Sequence, residues 1–282
     1  MQRGGRSSNG AASGSAGVAL LVLAGLVTAL NLLLNLLVGL RLLARARQGW
    51  PLPELSLALY FLLSAFLATP PQILVYGGMG DARLAVPEPA SRALLAFAVL
   101  AMAIGAGAIY VFTWKTFRPE RGWAKAIVIA GCACLAIGYL VEAATEGFAP
   151  VVFAGPGHWI GWAGRSAAMF GVAFESFRYW RMLRLRLRLG LADPVVTNRF
   201  LLWSIWAFCA TLNYVADLAS RSLYWLIYGT VQPVPEHLAA MVAPTIVVTM
   251  VLGVVSAVTL FLTFFPSPAY RRWLERRSTL AQ

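Results

Sequence analysis

Apolar residues fill seven long stretches of the chain, 18–40, 55–80, 93–114, 126–141, 159–177, 200–216 and 238–265, with charge and proline gathered between them. A bilayer core is crossed by about 20 apolar residues of helix, so the pattern predicts seven transmembrane helices. The fourth stretch is short and lengthens if Lys125 snorkels. The fifth is interrupted by Arg165 and Glu175. The sixth helix is expected to begin before its apolar stretch, with Asp193 as cap and Pro194 in the first turn. The fold class is therefore an all-α integral membrane protein, a seven-helix bundle over residues 18–265. A Ser/Gly-rich tail at 1–17, expected to be disordered, precedes it, and an amphipathic tail at 266–282 follows.

Composition supports that reading. The 282 residues are 60% hydrophobic and 12% charged, against roughly 25% charged in a soluble domain. Soluble, disordered and disulfide-scaffold classes are excluded together. The basic residues are distributed unevenly. Loops after the first, third, fifth and seventh stretches carry 17 Lys and Arg, and the opposite side carries 5. By the positive-inside bias the N-terminus is outside and the C-terminus cytoplasmic. The net charge of +12 then belongs to orientation and to anionic lipid headgroups rather than to nucleic acid. A multi-pass protein of the cell membrane is expected, and the excess of Arg over Lys suits a bacterial inner membrane.

Several chemistries lack their residues. The seventh stretch has no Lys for a retinal Schiff base, and the two histidines, His158 and His237, sit at helix ends rather than at haem depth. Cys132, Cys134 and Cys209 have no metal-ligand spacing. A nucleophile elbow is missing too. We expect no catalytic residue, no metal and no cofactor.

Ionisable side chains at membrane depth are more informative, because each costs on the order of 3 kcal/mol and usually marks a pair or a function. Topology places Glu142, Arg165, Asp217 and Arg221 in one outer third. Arg165 is expected to pair with Glu142 or Asp217, either as an interhelical salt bridge or as part of a polar ligand site. Tyr139, Trp162 and Tyr214 flank that layer, and Pro70–Pro71 and Pro244 kink two helices at the same level. The candidate ligand-binding residues are thus Glu142, Arg165, Asp217, Arg221, Trp162, Tyr139 and Tyr214. Asn31 with Asn35, and Asn213 with Asp217, share helix faces and read as interhelical hydrogen-bond glue. Gly157, Gly161, Gly164, Ala168 and Gly171 form a small-residue packing stripe.

At the cytoplasmic face, Arg181, Arg184, Arg186 and Arg188 alternate partly with leucine, yet Arg181, Arg184 and Arg188 share a helical face. We read an interfacial extension of the fifth helix. Ser267–Pro268 starts a second amphipathic helix carrying Arg271 and Arg272. Both basic sets are expected to bind anionic lipids or a protein partner, at this face or within the membrane. No soluble output domain is expected at either end, so a signal would pass to such a partner.

The outside N-terminus, the seven spans, the basic fifth-to-sixth loop and the proline-started helix after the last span resemble the architecture of seven-transmembrane receptors, with bacterial seven-helix sensor modules the nearer likeness. That likeness implies a non-enzymatic, receptor-like sensor with an outward-facing polar pocket. Pro71–Gln72 is similar to the proline–glutamine motif of sugar transporters built from three plus one plus three helices, although the motif occurs once and spans one to three do not repeat in five to seven. A small-solute transporter and a structural subunit of a larger membrane complex are the alternatives. The 17-to-5 split makes a direct forecast. A reporter fused after Gln282 should be cytoplasmic and a tag before Val18 accessible from outside, and an externally accessible C-terminus would refute the orientation.

Overall fold

A computed structural model describes residues 8–47, 49, 51–77, 85–150, 155–228 and 235–279; the side chains of 8–18, 21, 228–243, 275 and 277–279 lie outside that description. The described residues are predominantly helical, with no strand among them. In chain order the helices are α1 (Ser8–Ala46), α2 (Leu52–Gly77), α3 (Glu88–Phe117), α4 (Gly122–Thr145), α5 (Pro156–Arg188), α6 (Pro194–Tyr228), α7 (Pro235–Phe264) and α8 (Pro268–Thr279). Six of them, α1 to α4, α6 and α7, contain segments long and apolar enough to cross a membrane. The chain is a multi-pass membrane protein.

Most of the helices overrun their apolar stretches, because backbone hydrogen bonding continues past the hydrocarbon boundary until proline or glycine stops it. α6 starts where the Asp193–Pro194 pair was expected to start it. The Asp193 carboxylate accepts the N–H groups of Val195 and Val196 at 2.6 and 3.3 Å. α5 continues through Arg181–Arg188 as one helix and ends at Gly190 (φ +69°), where the Leu191 N–H donates to the Arg186 carbonyl and the Gly190 N–H to Leu187. That is a Schellman turn, and its positive φ suits glycine. α8 is capped by Ser267, whose Oγ accepts the Tyr270 N–H at 3.2 Å. α1 begins at Ser8, so residues 8–17, expected as a disordered tail, are helical. No proline lies there to stop the helix.

α5 is the exception among the long helices, since its arginines and Glu175 keep it out of the apolar six. It packs against α3, α4 and α6. Lipid tails are as apolar as leucine, so association depends on close fit, and glycine provides it here. A Cβ on Gly138 of α4 would stand 2.6 Å from the Gly161 backbone N of α5, and one on Gly157 would collide with the Glu142 backbone. Gly164 meets Leu135, but Gly171 meets nothing within 4 Å. The stripe is therefore a packing surface over three of its glycines and open at the fourth. Around this seam one core collects Val38, Phe61, Ile109, Met169, Trp206 and Leu260, drawn from six of the long helices. Leucine, isoleucine, valine and phenylalanine cover the outside of the bundle, as lipid permits and water does not.

The contrast between the two glycines can be measured. Gly138→Leu should destabilise the purified protein by about 1–3 kcal/mol through overpacking against backbone, and Gly171→Ala should leave thermal unfolding unchanged. Equal effects would refute the α4–α5 seam.

Candidate functional site

The largest described cavity, about 380 Å³, lies within the bundle among α1, α2, α6 and α7. Its shape begins with Pro70 and Pro71. Neither donates to the preceding turn, so the ring would clash there in an ordinary helix. α2 widens instead over Tyr60–Leu67 into a π-helical section, and the Ala68 N–H reaches back five residues to Leu63 at 2.9 Å. Widened turns of this kind recur at functional sites. Here Tyr60 lines the cavity, its ring edge-on to Trp206 at 5.6 Å.

Neutral polar side chains line the walls. α1 contributes Thr28, Asn31 and Asn35; α6 contributes Asn213; α7 contributes Thr249 and Ser256. The Asn31 amide donates to its own helix at Val27 (2.9 Å) and across to Gly253 of α7 (3.1 Å). Asn31 is therefore the glue that the spacing suggested. Asn213 differs, because its Oδ1 is buried with no hydrogen-bond partner among the described residues. A buried acceptor left open costs about 1–3 kcal/mol, and the adjoining cavity is where water or a solute would satisfy it.

An aromatic layer adjoins the cavity through Trp206. Trp203 and Trp206 stack obliquely at 4.9 Å, and Phe61 and Phe264 close around them at 5.4–6.0 Å. Below, Arg41 donates to the Phe264 carbonyl at 2.8 Å and lies 5.0 Å from the Phe265 ring, capping the C-terminal end of α7 with positive charge. Beneath Trp203 and Phe264 is a second cavity of about 250 Å³, lined mainly by Leu57, Phe112, Val196 and Phe200, with Arg199 its charged residue.

The residues singled out as ligand-binding are divided among several places. Glu142 and Arg165, 9% and 5% exposed, line one gap of about 40 Å³ with Gln72, Tyr76 and His158. That is room for a water molecule, not for a larger solute. The expected pairing of Arg165 is not formed, since no ion pair within 4 Å joins it to either acid among the described residues. Its Nε and the His158 Nε2 are buried without partners. Asp217 instead meets Arg221 one turn along α6 at 2.9 Å. A neighbour four residues away on the same helix needs no interhelical alignment, so it wins the acid. Tyr214 lies near Arg165 and meets Trp162 edge-on at 6.3 Å. Tyr139 belongs to a separate cluster, packed on Phe148 at 5.0 Å. His237 falls among side chains outside the description.

At the other end, Arg181, Arg184, Arg186 and Arg188 are exposed along the last turns of α5, and Arg184 lies over Trp180 at 5.5 Å. Arg271 and Arg272 are exposed on α8, which the Asn198–Tyr270 hydrogen bond (2.7 Å) fastens to α6. Sequence reasoning did not foresee the ion pair of Arg118 with Glu175. It is a forked contact with three N–H···O bonds of 3.2 Å that neutralises the one acid of α5. It also missed the cavity as a unit. The signal was present in the facing rows Thr28–Asn31–Asn35 and Thr245–Thr249–Ser256, each on a single helical face. No protein-family model matches the chain, and no curated protein or solved structure matches it either.

Proposed function

We propose that this chain is a non-enzymatic, receptor-like seven-transmembrane sensor that binds a small polar ligand in the cavity between α1, α2, α6 and α7. In this reading α5 is the seventh crossing. Its charged groups are turned inward at Arg165 or neutralised by Arg118 at Glu175, and Phe170, Phe174 and Phe177 are its lipid-exposed side. With the orientation expected from the basic residues, the N-terminus and the Ala24–Thr245 end of the cavity would face outside. The exposed arginines of α5 and α8 then lie at the cytoplasmic interface, beside anionic lipids and a signalling partner.

The observation that carries the reading is the gathering of neutral polar side chains from α1, α6 and α7 at one cavity, with the Asn213 oxygen left open beside it and Trp206 joining it to the aromatic layer of Trp203, Phe61 and Phe264. Ligand contact with Tyr60 would bear directly on Trp206 and so on that layer, whose other side faces the lower cavity. The lower cavity favours a second reading, transport, in which the layer acts as a gate. Its almost wholly apolar lining suits a polar solute poorly, so sensing ranks first.

Thiol labelling separates the two. With Cys132, Cys134 and Cys209 replaced by serine or alanine, Ser256→Cys places a thiol in the cavity. A membrane-impermeant maleimide should label it from outside and not from inside. Labelling from both sides would replace the sensor with a transporter, and no labelling from either side would refute the pocket.

A further inference from the structure

Away from the polar cavity, a furrow of about 250 Å³ lies on the lipid-facing surface where α3, α4 and α5 meet. Its floor is made of small residues, Ala124, Ala168 and Gly171, and a Cβ on Gly171 would point into open space. Its rims are large and exposed, with Ile127, Phe170 and Phe174 each more than half exposed. At one end of the furrow the chemistry changes. There the Trp114 indole Nε1 is buried without a hydrogen-bond partner among the described residues, Lys115 lies 4.1 Å from the Trp114 ring, and Arg118 and Trp123 complete the mouth. Arg121 and Lys125 follow on the exposed side. Glu175, the acid of the furrow, is held by Arg118. The end is therefore cationic at Lys115, Arg121 and Lys125, with the Trp114 indole beside it.

We propose that this furrow is a specific site for an anionic diacyl phospholipid. One acyl chain lies along Gly171 between Phe170, Phe174 and Ile127, and the phosphate-bearing head sits at Trp114, Lys115 and Lys125. The physical argument has two parts. A crevice in a lipid-facing wall is filled by chain, because an empty one forfeits dispersion contacts on every side. The cationic, donor-bearing mouth then selects among headgroups, as a phosphate or glycerol oxygen accepts from the free indole and the net negative charge offsets Lys115 and Lys125. Arg118 positions the mouth by fixing α3 to α5. This site is separate from the arginines at the ends of α5 and α8, and it stands whether the polar cavity serves sensing or transport.

The test uses the full-length protein in mixed micelles with equimolar phosphatidylglycerol and phosphatidylcholine, with retained lipids counted by native mass spectrometry. Wild type should retain phosphatidylglycerol in preference. A Cβ at 171 meets no described atom within 4 Å, so Gly171→Leu should fold, melt no lower than wild type, fill the furrow and lose one bound lipid. Lys115→Gln leaves the furrow open, so the lipid count should hold while the preference for phosphatidylglycerol falls roughly fivefold for the one cation removed. Unchanged lipid count in folded Gly171→Leu overturns the site. Should that variant not fold, an unchanged headgroup preference in Lys115→Gln overturns it independently.

Discussion

A polar side chain in a bilayer has nowhere to go but inward, and the structure depends on this constraint more than on any single contact. Water would satisfy Asn31, Asn35, Asn213, Thr249 or Ser256 anywhere on a soluble protein, but hydrocarbon satisfies none of them. The three helices that carry them turn those faces towards one another. The same constraint acts on charge. Arg165 and Glu142 are buried beside each other, Glu175 is held by Arg118, and Asp217 by Arg221. What distinguishes the cavity is that inward-turned polar groups there do not use one another up. Asn31 spends its amide on helix carbonyls, while the Asn213 oxygen stays open beside a space large enough for a solute.

Two local features place that space. The proline pair in α2 widens the helix and brings Tyr60 to the cavity, against Trp206. The glycine seam between α4 and α5 brings the two helices to backbone contact, and Arg165 is enclosed beside it. The first opens one half of the bundle and the second closes the other. This asymmetry explains why the region richest in charge has a gap fit for a water molecule, whereas the region with neutral amides has the cavity.

The sequence made the helices legible because lipid imposes length and because proline and glycine punctuate. Asp193–Pro194, Ser267–Pro268 and Gly190 each start or stop a helix where local chemistry says they should. It did not make the site legible, and the reason is rotational. In a soluble helix the polar face points outward and fixes the rotation. In α1, α6 and α7 both faces are largely apolar, so nothing in the spacing alone decides whether Asn213 faces Asn31 or Arg165. Depth could be read, and depth alone grouped Arg165 with Glu142 and Asp217. Partner choice followed other rules, with Asp217 taking the arginine one turn away. The π-helical section in α2 adds a further rotation that helical periodicity does not encode.

The account's central claim is that the space bounded by Asn31, Tyr60, Trp206 and Asn213 is an occupied, one-sided pocket. The most direct measurement is an electron cryomicroscopy map of the protein in lipid nanodiscs at a resolution that shows ordered water. The account predicts non-protein density within hydrogen-bonding distance of the Asn213 oxygen, continuous with the Ala24–Thr245 end of the cavity and stopped at the Trp203–Trp206–Phe264 layer. A closed interface, with the Asn213 oxygen bonded to a neighbouring helix and no density between α1 and α6, would contradict it.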